Sequence, residues 1–346
     1  MDAGTRAAIR AMPKIELHRH LEGSVRLSTL VDIARQYRLP FGPATEENLR
    51  PLVQMTDKDP RSAAGFLSKF RALREFYRSP EIIQRIARES IEDASADNIR
   101  YMELRFTPKA LCNLTEISFA DAVALVCDAA NDAAQEYGIM VRYIVSINRH
   151  EPVELGTRAL QAAITHQDKG ITGFDLAGDE TNYPATLFYK VFQQAKAAGF
   201  GITVHAGEWA GAISVWDAVG NLLADRVGHG INILRDEALL PILVERGTVL
   251  EVCPLSNVLS GVVDSLGEHP LRALTEKGVQ TTINTDDPSV CDVTLTDEIS
   301  LAIENGQMAL ADVADYTLRA AKAAFLPDDE RQALVAQFRD WYNQLD

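Results

Sequence analysis

Short runs rich in Val, Ile, Thr and Tyr alternate along the chain with longer stretches whose apolar residues recur at helical spacing. Eight such runs mark candidate strands: Lys14–His18, Tyr101–Phe106, Val141–Ile147, Ile171–Leu176, Gly201–His205, Arg226–His229, Thr248–Cys253 and Gln280–Thr285. Many are preceded by Gly or end in Pro, Gly or Asp, as strands bounded by turns do. Helical periodicity fills the intervals, for example Leu155–Ile164, Leu187–Ala198 and Ala238–Glu245. This alternation predicts a parallel sheet of the α/β class. Eight units predict its closure into a (β/α)8 TIM barrel.

One interval departs from the rhythm. Residues 27–98, between the first two strands, hold several helical pieces: Leu27–Tyr37, Ala63–Tyr77 and Pro80–Ala94. Pro80 suits a first helical turn, where its missing N–H costs nothing. An insertion there sits on the C-terminal face of a barrel, as outer scaffolding or as a lid over the mouth. After Asp286 three further helical segments, Leu295–Glu304, Asp312–Ala323 and Asp328–Gln344, suffice to close the last unit and cap the barrel.

The chain has 346 residues, which two ordinary domains could share. An α/β barrel spends about 250 residues on one, so a single domain over 1–346 is expected. No stretch approaches the roughly 18 uninterrupted apolar residues of a membrane helix. No apolar run follows the opening Met1-Asp2-Ala3-Gly4, so a cytoplasmic location is expected. The balance of 34 Lys+Arg against 49 Asp+Glu, a net charge of −15, disfavours a nucleic-acid partner. It suits a neutral or cationic small molecule better. Cys112, Cys127, Cys253 and Cys291 are scattered without a C-x-x-C pair and read as small buried hydrophobes.

Seven histidines are present, and four fall at predicted strand ends: His18, His20, His205 and His229. His18 and His20 form His-x-His, whose period-2 geometry points both rings to one side of a strand. Rings at the C-terminal ends of separate barrel strands converge on one mouth, where the active sites of this architecture lie. Asp286 follows the last strand. Three neutral imidazoles and one carboxylate suit Zn²⁺ with a position left for water, although Fe²⁺, Mn²⁺ or Co²⁺ would accept the same set. Gly207 permits a turn that brings Glu208 back over the mouth as a general acid/base. His229, between Gly228 and Gly230, is placed to bind the metal or to steady its water. The fourth strand ends in Phe174-Asp175-Leu176 without a lysine to bridge two metals, so one ion per chain is expected. The P-C-x-x-C that the cysteine-ligated zinc deaminases carry after their H-x-E is missing, so that signature is not met.

These motifs, in this order and almost end to end, resemble the adenosine deaminase family of the amidohydrolase superfamily. The resemblance is carried by Pro13-Lys14-Ile15-Glu16-Leu17-His18-Arg19-His20-Leu21-Glu22-Gly23, by Asp175-Leu176-Ala177-Gly178-Asp179-Glu180-Thr181 and by His205-Ala206-Gly207-Glu208. Arg226-Val227-Gly228-His229-Gly230, Cys253-Pro254-Leu255-Ser256-Asn257, Asn284-Thr285-Asp286-Asp287-Pro288 and the closing Ala320–Pro327 complete it. It implies zinc-dependent deamination of adenosine and 2′-deoxyadenosine to inosine and ammonia in purine salvage. His18, His20, His205 and Asp286 would hold the zinc, and Asp286 would accept a proton from the attacking water. Glu208 would protonate N1 and His229 would orient the water. Gly178 would meet N3 through its N–H, Asp287 would meet N7, Glu22 would face the sugar, and His20 would also contact the substrate. Gly65-Phe66-Leu67-Ser68-Lys69-Phe70 resembles the family's hydrophobic gate, which makes the insertion a lid. Glu22 stands where animal-type members have Asp, a variant shared with relatives that act on adenine or on 5′-modified adenosines such as aminodeoxyfutalosine. An AMP-type substrate is not expected, because only Arg19 and Arg26 lie near the first motif. Outside the family, a barrel hydrolase of amides or esters and a non-catalytic adenosine-binding protein are the rival readings.

Overall fold

The computed structural model describes residues 1–344. Its eight parallel strands pair in sequence order: β1 Lys14–His20, β2 Ile99–Phe106, β3 Met140–Asn148, β4 Ile171–Ala177, β5 Gly201–Ala206, β6 Arg226–His229, β7 Val249–Val252 and β8 Gln280–Ile283. The ring closes beyond β8. The Asp286 N–H donates to the His18 carbonyl at 2.8 Å, and the His20 N–H donates to the Asp286 carbonyl at 2.8 Å. The expected (β/α)8 barrel is therefore present, with a candidate ligand built into its seam.

The strand faces divide sharply. Ile15 and Leu17 pack outward against the helices Val313–Ala323 and Asp328–Asn343. Glu16, His18, Glu103, Arg105, Asp175, His205, Arg226 and Glu251 are buried polar residues of the strands. The apolar core thus lies between the sheet and its helical jacket, while the barrel interior carries charge.

Several boundaries shift for local reasons. β1 runs two residues past the expected His18 because the seam pairs Arg19 with Asp286. β7 stops before Cys253, since Pro254 opens the short helix Pro254–Leu259. β8 ends at Ile283, and the Thr285 N–H turns to the Glu16 carboxylate at 3.2 Å. Helix Ala63–Leu73, capped by Ser62 accepting from the Gly65 N–H at 3.1 Å, tightens into a 3₁₀ turn over Arg74–Phe76. Pro80 does begin its helix, Pro80–Ala96. Helices Ala3–Ala11, Glu46–Val53 and Phe119–Tyr137 come in addition to those expected. No helix among the described residues is long and apolar enough to cross a membrane.

Candidate metal centre and active site

The C-terminal strand ends bring the predicted residues together. The ring centroid of His18 lies 5.3 Å from that of His20, 4.6 Å from that of His205 and 5.0 Å from that of His229. Asp286 Oδ1 is 3.2 Å from His18 Nε2 and 3.4 Å from His20 Nε2, and His20 Nε2 faces His205 Nε2 at 3.2 Å. One ligand atom from each of His18, His20, His205 and Asp286 falls within 4.8 Å of the other three.

Carboxylates behind the rings fix which nitrogens face inward. Glu251 Oε2 lies 2.8 Å from His18 Nδ1, and Asp175 Oδ1 lies 3.0 Å from His205 Nδ1. An ionised carboxylate only accepts, so each Nδ1 holds the proton and each Nε2 turns a lone pair to the centre. His18 Nε2 is buried without a hydrogen-bond partner. Converging lone pairs beside a carboxylate repel one another unless a cation lies between them, so this donor set fits a divalent metal. His18, His229, Cys253 and Asp286 form a second close group. Burial, with the charges of Asp286 and Glu16, pushes the Cys253 thiol well above its ordinary pKa, and it remains a protonated donor to the Glu251 carbonyl.

Glu251 is a hub. Arg226 Nε donates to it at 2.6 Å, Arg105 at 2.8 Å and Thr203 Oγ1 at 3.1 Å. Burial opposes its charge, yet Arg105 and Arg226 hold its carboxyl well below the usual range.

His229 and Asp286 carry strained backbone, with φ of 61° and 60° in the left-handed region that non-glycine residues seldom adopt. His229 is buried, which pushes its pKa well below the ordinary value, so the ring is neutral. Its Nε2 lies 3.5 Å from Glu208 Oε2 and 3.9 Å from Asp286 Oδ2. Gly207, at φ 66°, makes the turn expected of it, and Glu208 is buried at the cavity wall. Burial first, then the charges of Asp286 and Glu180, raise the Glu208 pKa far above that of a free carboxyl. Burial and the neighbouring Asp286 and Glu22 do the same to Asp287, whose Oδ1 has no partner. For Asp286 burial works against ionisation, but the close approach of His18, with His229 and His20 around it, holds its carboxyl well below the ordinary range.

These groups open into a cavity of about 410 Å³, within the roughly 300–1,000 Å³ of small-molecule sites. Gly178, Phe66, Phe70, His20 and Glu22 line it as well. The Phe66 and Phe70 rings stand 6.1 Å apart on the inserted helix. Glu22 accepts the Thr107 N–H at 2.7 Å, and burial pushes its carboxyl up to about 7.

Sequence reasoning assigned no role to Glu251, Asp175, Asn257, His269 or Arg74. Glu251 and Asp175 had a signal available, since a charge inside a strand that is buried on both faces needs a partner.

An eight-stranded parallel barrel with three imidazoles and a carboxylate at its mouth defines a hydrolase of the amidohydrolase class. Within that class the family model described as adenosine deaminase matches residues 13–341, and the chain belongs to the adenosine deaminase family, hydrolases that act on a purine amino group. The adenosine deaminase of Salmonella schwarzengrund is 36% identical over 323 residues, 93% of this chain and 96% of that protein. An amidohydrolase of Burkholderia ambifaria, solved with bound zinc, superposes with a TM-score of 0.89 at 30% identity, covering 100% of this chain and 95% of that one. The N6-methyl-AMP deaminase of Arabidopsis thaliana gives 0.84 at 26% identity, with 97% and 98% covered.

Proposed function

We propose that the protein deaminates adenosine and 2′-deoxyadenosine hydrolytically to inosine and ammonia, using one zinc ion held by His18, His20, His205 and Asp286. The observation that carries this reading is the buried Glu208, its carboxyl pushed well above the ordinary range, in one cavity with that ligand set. A divalent ion lowers the pKa of bound water from 15.7 to about 7, which supplies a nucleophile at neutral pH. The zinc-bound Burkholderia relative and the Salmonella adenosine deaminase support both the metal and the substrate.

The remaining work belongs to side chains. Glu208 donates its proton to N1 as water adds to C6, which relieves the charge that builds on the ring. His229 donates from Nε2 and orients the attacking oxygen. Asp286 takes the proton that the water gives up. The amino group takes the proton held by Asp286 and leaves as ammonia, and the proton left on the added oxygen returns to Glu208, so adenosine and water yield inosine and ammonia in balance. Asp287 keeps its proton and can donate to N7, an atom that only accepts, and the Gly178 N–H does the same for N3. His20 and Glu22 face the sugar, and Phe66 and Phe70 exclude water from above it. We read residues 1–346 as one domain with 27–98 as its lid. We place it in the cytoplasm, a reading supported by four unpaired cysteines.

The test follows the fall in adenosine absorbance with zinc-loaded and zinc-stripped protein, with 2′-deoxyadenosine and adenine in parallel. Metal-dependent loss of adenosine but not adenine supports the reading. Preference for adenine moves the substrate and places the error at Glu22, and inertness toward every aminopurine sinks the deaminase.

A further inference from the structure

The cavity has a second chemical end. A purine carries C6 and N1 on one ring and N9 on the other. A base seated with C6 over the imidazoles therefore directs its N9 substituent outward, toward Glu22, the gate and the rim. Arg71 and Arg74, from the helix Ala63–Leu73 and the turn that follows it, line the cavity with Glu75 and Asp179, and Arg74 is near enough to Glu22 for its charge to act on that carboxyl. Both acids are already engaged. Glu75 accepts from Arg78 at 2.9 Å, and Asp179 accepts the N–H groups of Thr181 and Asn182 at 3.0 and 3.2 Å.

Neither Arg71 nor Arg74 has a hydrogen-bond or ion-pair partner among the described residues, and Arg74 is half-buried. Within the insertion Arg50, Arg78, Arg85 and Arg88 each meet a carboxylate, and Arg35, Arg38 and Arg61, which do not, are exposed, so Arg74 stands apart as an unpaired arginine that is half-buried. The two cations nearest the first motif do not take this place either. Arg19 donates to Ser24 Oγ at 3.1 Å, and Arg26 is held by Asp93 at 2.6 Å. A guanidinium half withdrawn from water and left unpaired, in a chain of net charge −15, is placed for a ligand rather than for the fold. Its planar fork matches phosphate and carboxylate oxygens two at a time. His150 lines the same cavity, close enough to feel the Arg74 charge, and adds a ring donor.

We propose that Arg74, with Arg71 and His150 beside it, forms a binding site for an anionic group, phosphate or carboxylate, borne at the 5′ position of the nucleoside, given that the adenosine-type reaction above is the one catalysed. The substrate class then widens from adenosine to 5′-anionic adenosines. Glu22 Oε1 accepts the Thr107 N–H while its Oε2 has no partner, so Glu22 keeps the ribose and Arg74 takes the group attached at its 5′ position.

The experiment compares kcat/KM for adenosine 5′-monophosphate, adenosine 5′-carboxylic acid and the neutral 5′-methylthioadenosine, in wild type, Arg74→Gln and Arg74→Lys. Wild type should favour at least one anion over the thioether by tenfold or more, and the better anion tells phosphate from carboxylate. Arg74→Gln should erase that ratio through KM, Arg74→Lys should restore part of it, and 0.5 M salt should weaken it. A wild-type ratio near one, or the same loss on all three compounds in Arg74→Gln, overturns the site. If wild type deaminates nothing, the reaction itself is wrong, and equilibrium binding of adenosine 5′-monophosphate then decides the site. Binding lost in Arg74→Gln upholds it, and equal binding in both proteins removes it.

Discussion

The side-chain amide of Asn257 donates to Nδ1 of His229 at 3.1 Å, and that one contact decides which nitrogen of the ring carries the proton. The direction is set from further back. The Leu271 N–H donates to His269 Nδ1 at 3.1 Å, so His269 must hold its proton on Nε2 and give it to Asn257 Oδ1 at 3.2 Å. Asn257 is thereby oriented with its NH₂ toward His229. His229 must then donate from Nε2, on the side of Glu208 and Asp286. It can hold an oxygen in place from that nitrogen, and it has no lone pair there with which to act as a base.

His269→Phe removes the donor that orients Asn257 and frees the amide to flip, which would reverse the His229 tautomer. We expect kcat to fall about a hundredfold, a typical worth of a positioned proton-handling group, with KM and zinc content little changed. Asn257→Asp should do the same and also shift the pH–rate profile, because a carboxylate beside Nδ1 favours the charged imidazole. Full kcat in both variants would show that the chain from Leu271 to His229 is structural only.

Much of this centre was legible in the sequence, and the reasons are physical. Imidazoles at strand ends stand out because a barrel packs its core elsewhere, so His18, His20, His205 and His229 announced one mouth. β6 was read to the residue as Arg226–His229. The helix Phe119–Tyr137 was not read, because its buried face is largely alanine and valine with weak contrast. The Asn257–His269 link was invisible, since two short helical turns meet only in three dimensions. Arg74 was hidden for the opposite reason: an arginine on an inserted helix looks like any solvated charge until its neighbours prove to be engaged elsewhere.

Glu208→Gln keeps size and hydrogen bonding but has no acidic proton. Loss of about 10²–10⁴ in kcat is expected, with the metal retained. The sign of the pH effect follows from the raised pKa. Glu208 is active while protonated, so wild-type turnover should fall on the alkaline side as pH rises through its raised pKa. The variant should lack that alkaline limb. Near-normal turnover of Glu208→Gln in a kcat–pH series would remove this residue from the reaction.

Glu251→Gln tests the support behind the metal. It removes the charge and one of the two acceptor oxygens that His18 Nδ1, Arg105 and Arg226 share in the barrel interior. Metal affinity should fall about 10–100-fold in a chelator titration. Unfolding in denaturant should show about 3–5 kcal/mol lost, the usual cost of breaking a buried pair. Because its folded pKa is depressed, the wild-type contribution is complete above the ordinary carboxylate range and disappears as pH falls through the folded value. Unchanged zinc affinity would separate Glu251 from the metal.

Gly23 makes a sharper prediction about Asp287. A Cβ on Gly23 would lie 1.8 Å from Asp287 Oδ1, so Gly23→Ala must push that carboxyl aside, while the Ser289 N–H still donates to the Gly23 carbonyl. If Asp287 donates to N7, the displacement should raise KM about tenfold, the worth of one hydrogen bond of about 1–1.5 kcal/mol. Asp287→Ala should match it, whereas Asp287→Asn, which keeps a donor, should lose less. Zinc content should be normal in all three, because Asp287 is not in the ligand set. Metal loss on Asp287→Ala would mean that the adjacent aspartates have been assigned the wrong way round, and an unaffected KM in Gly23→Ala would take Asp287 off the base.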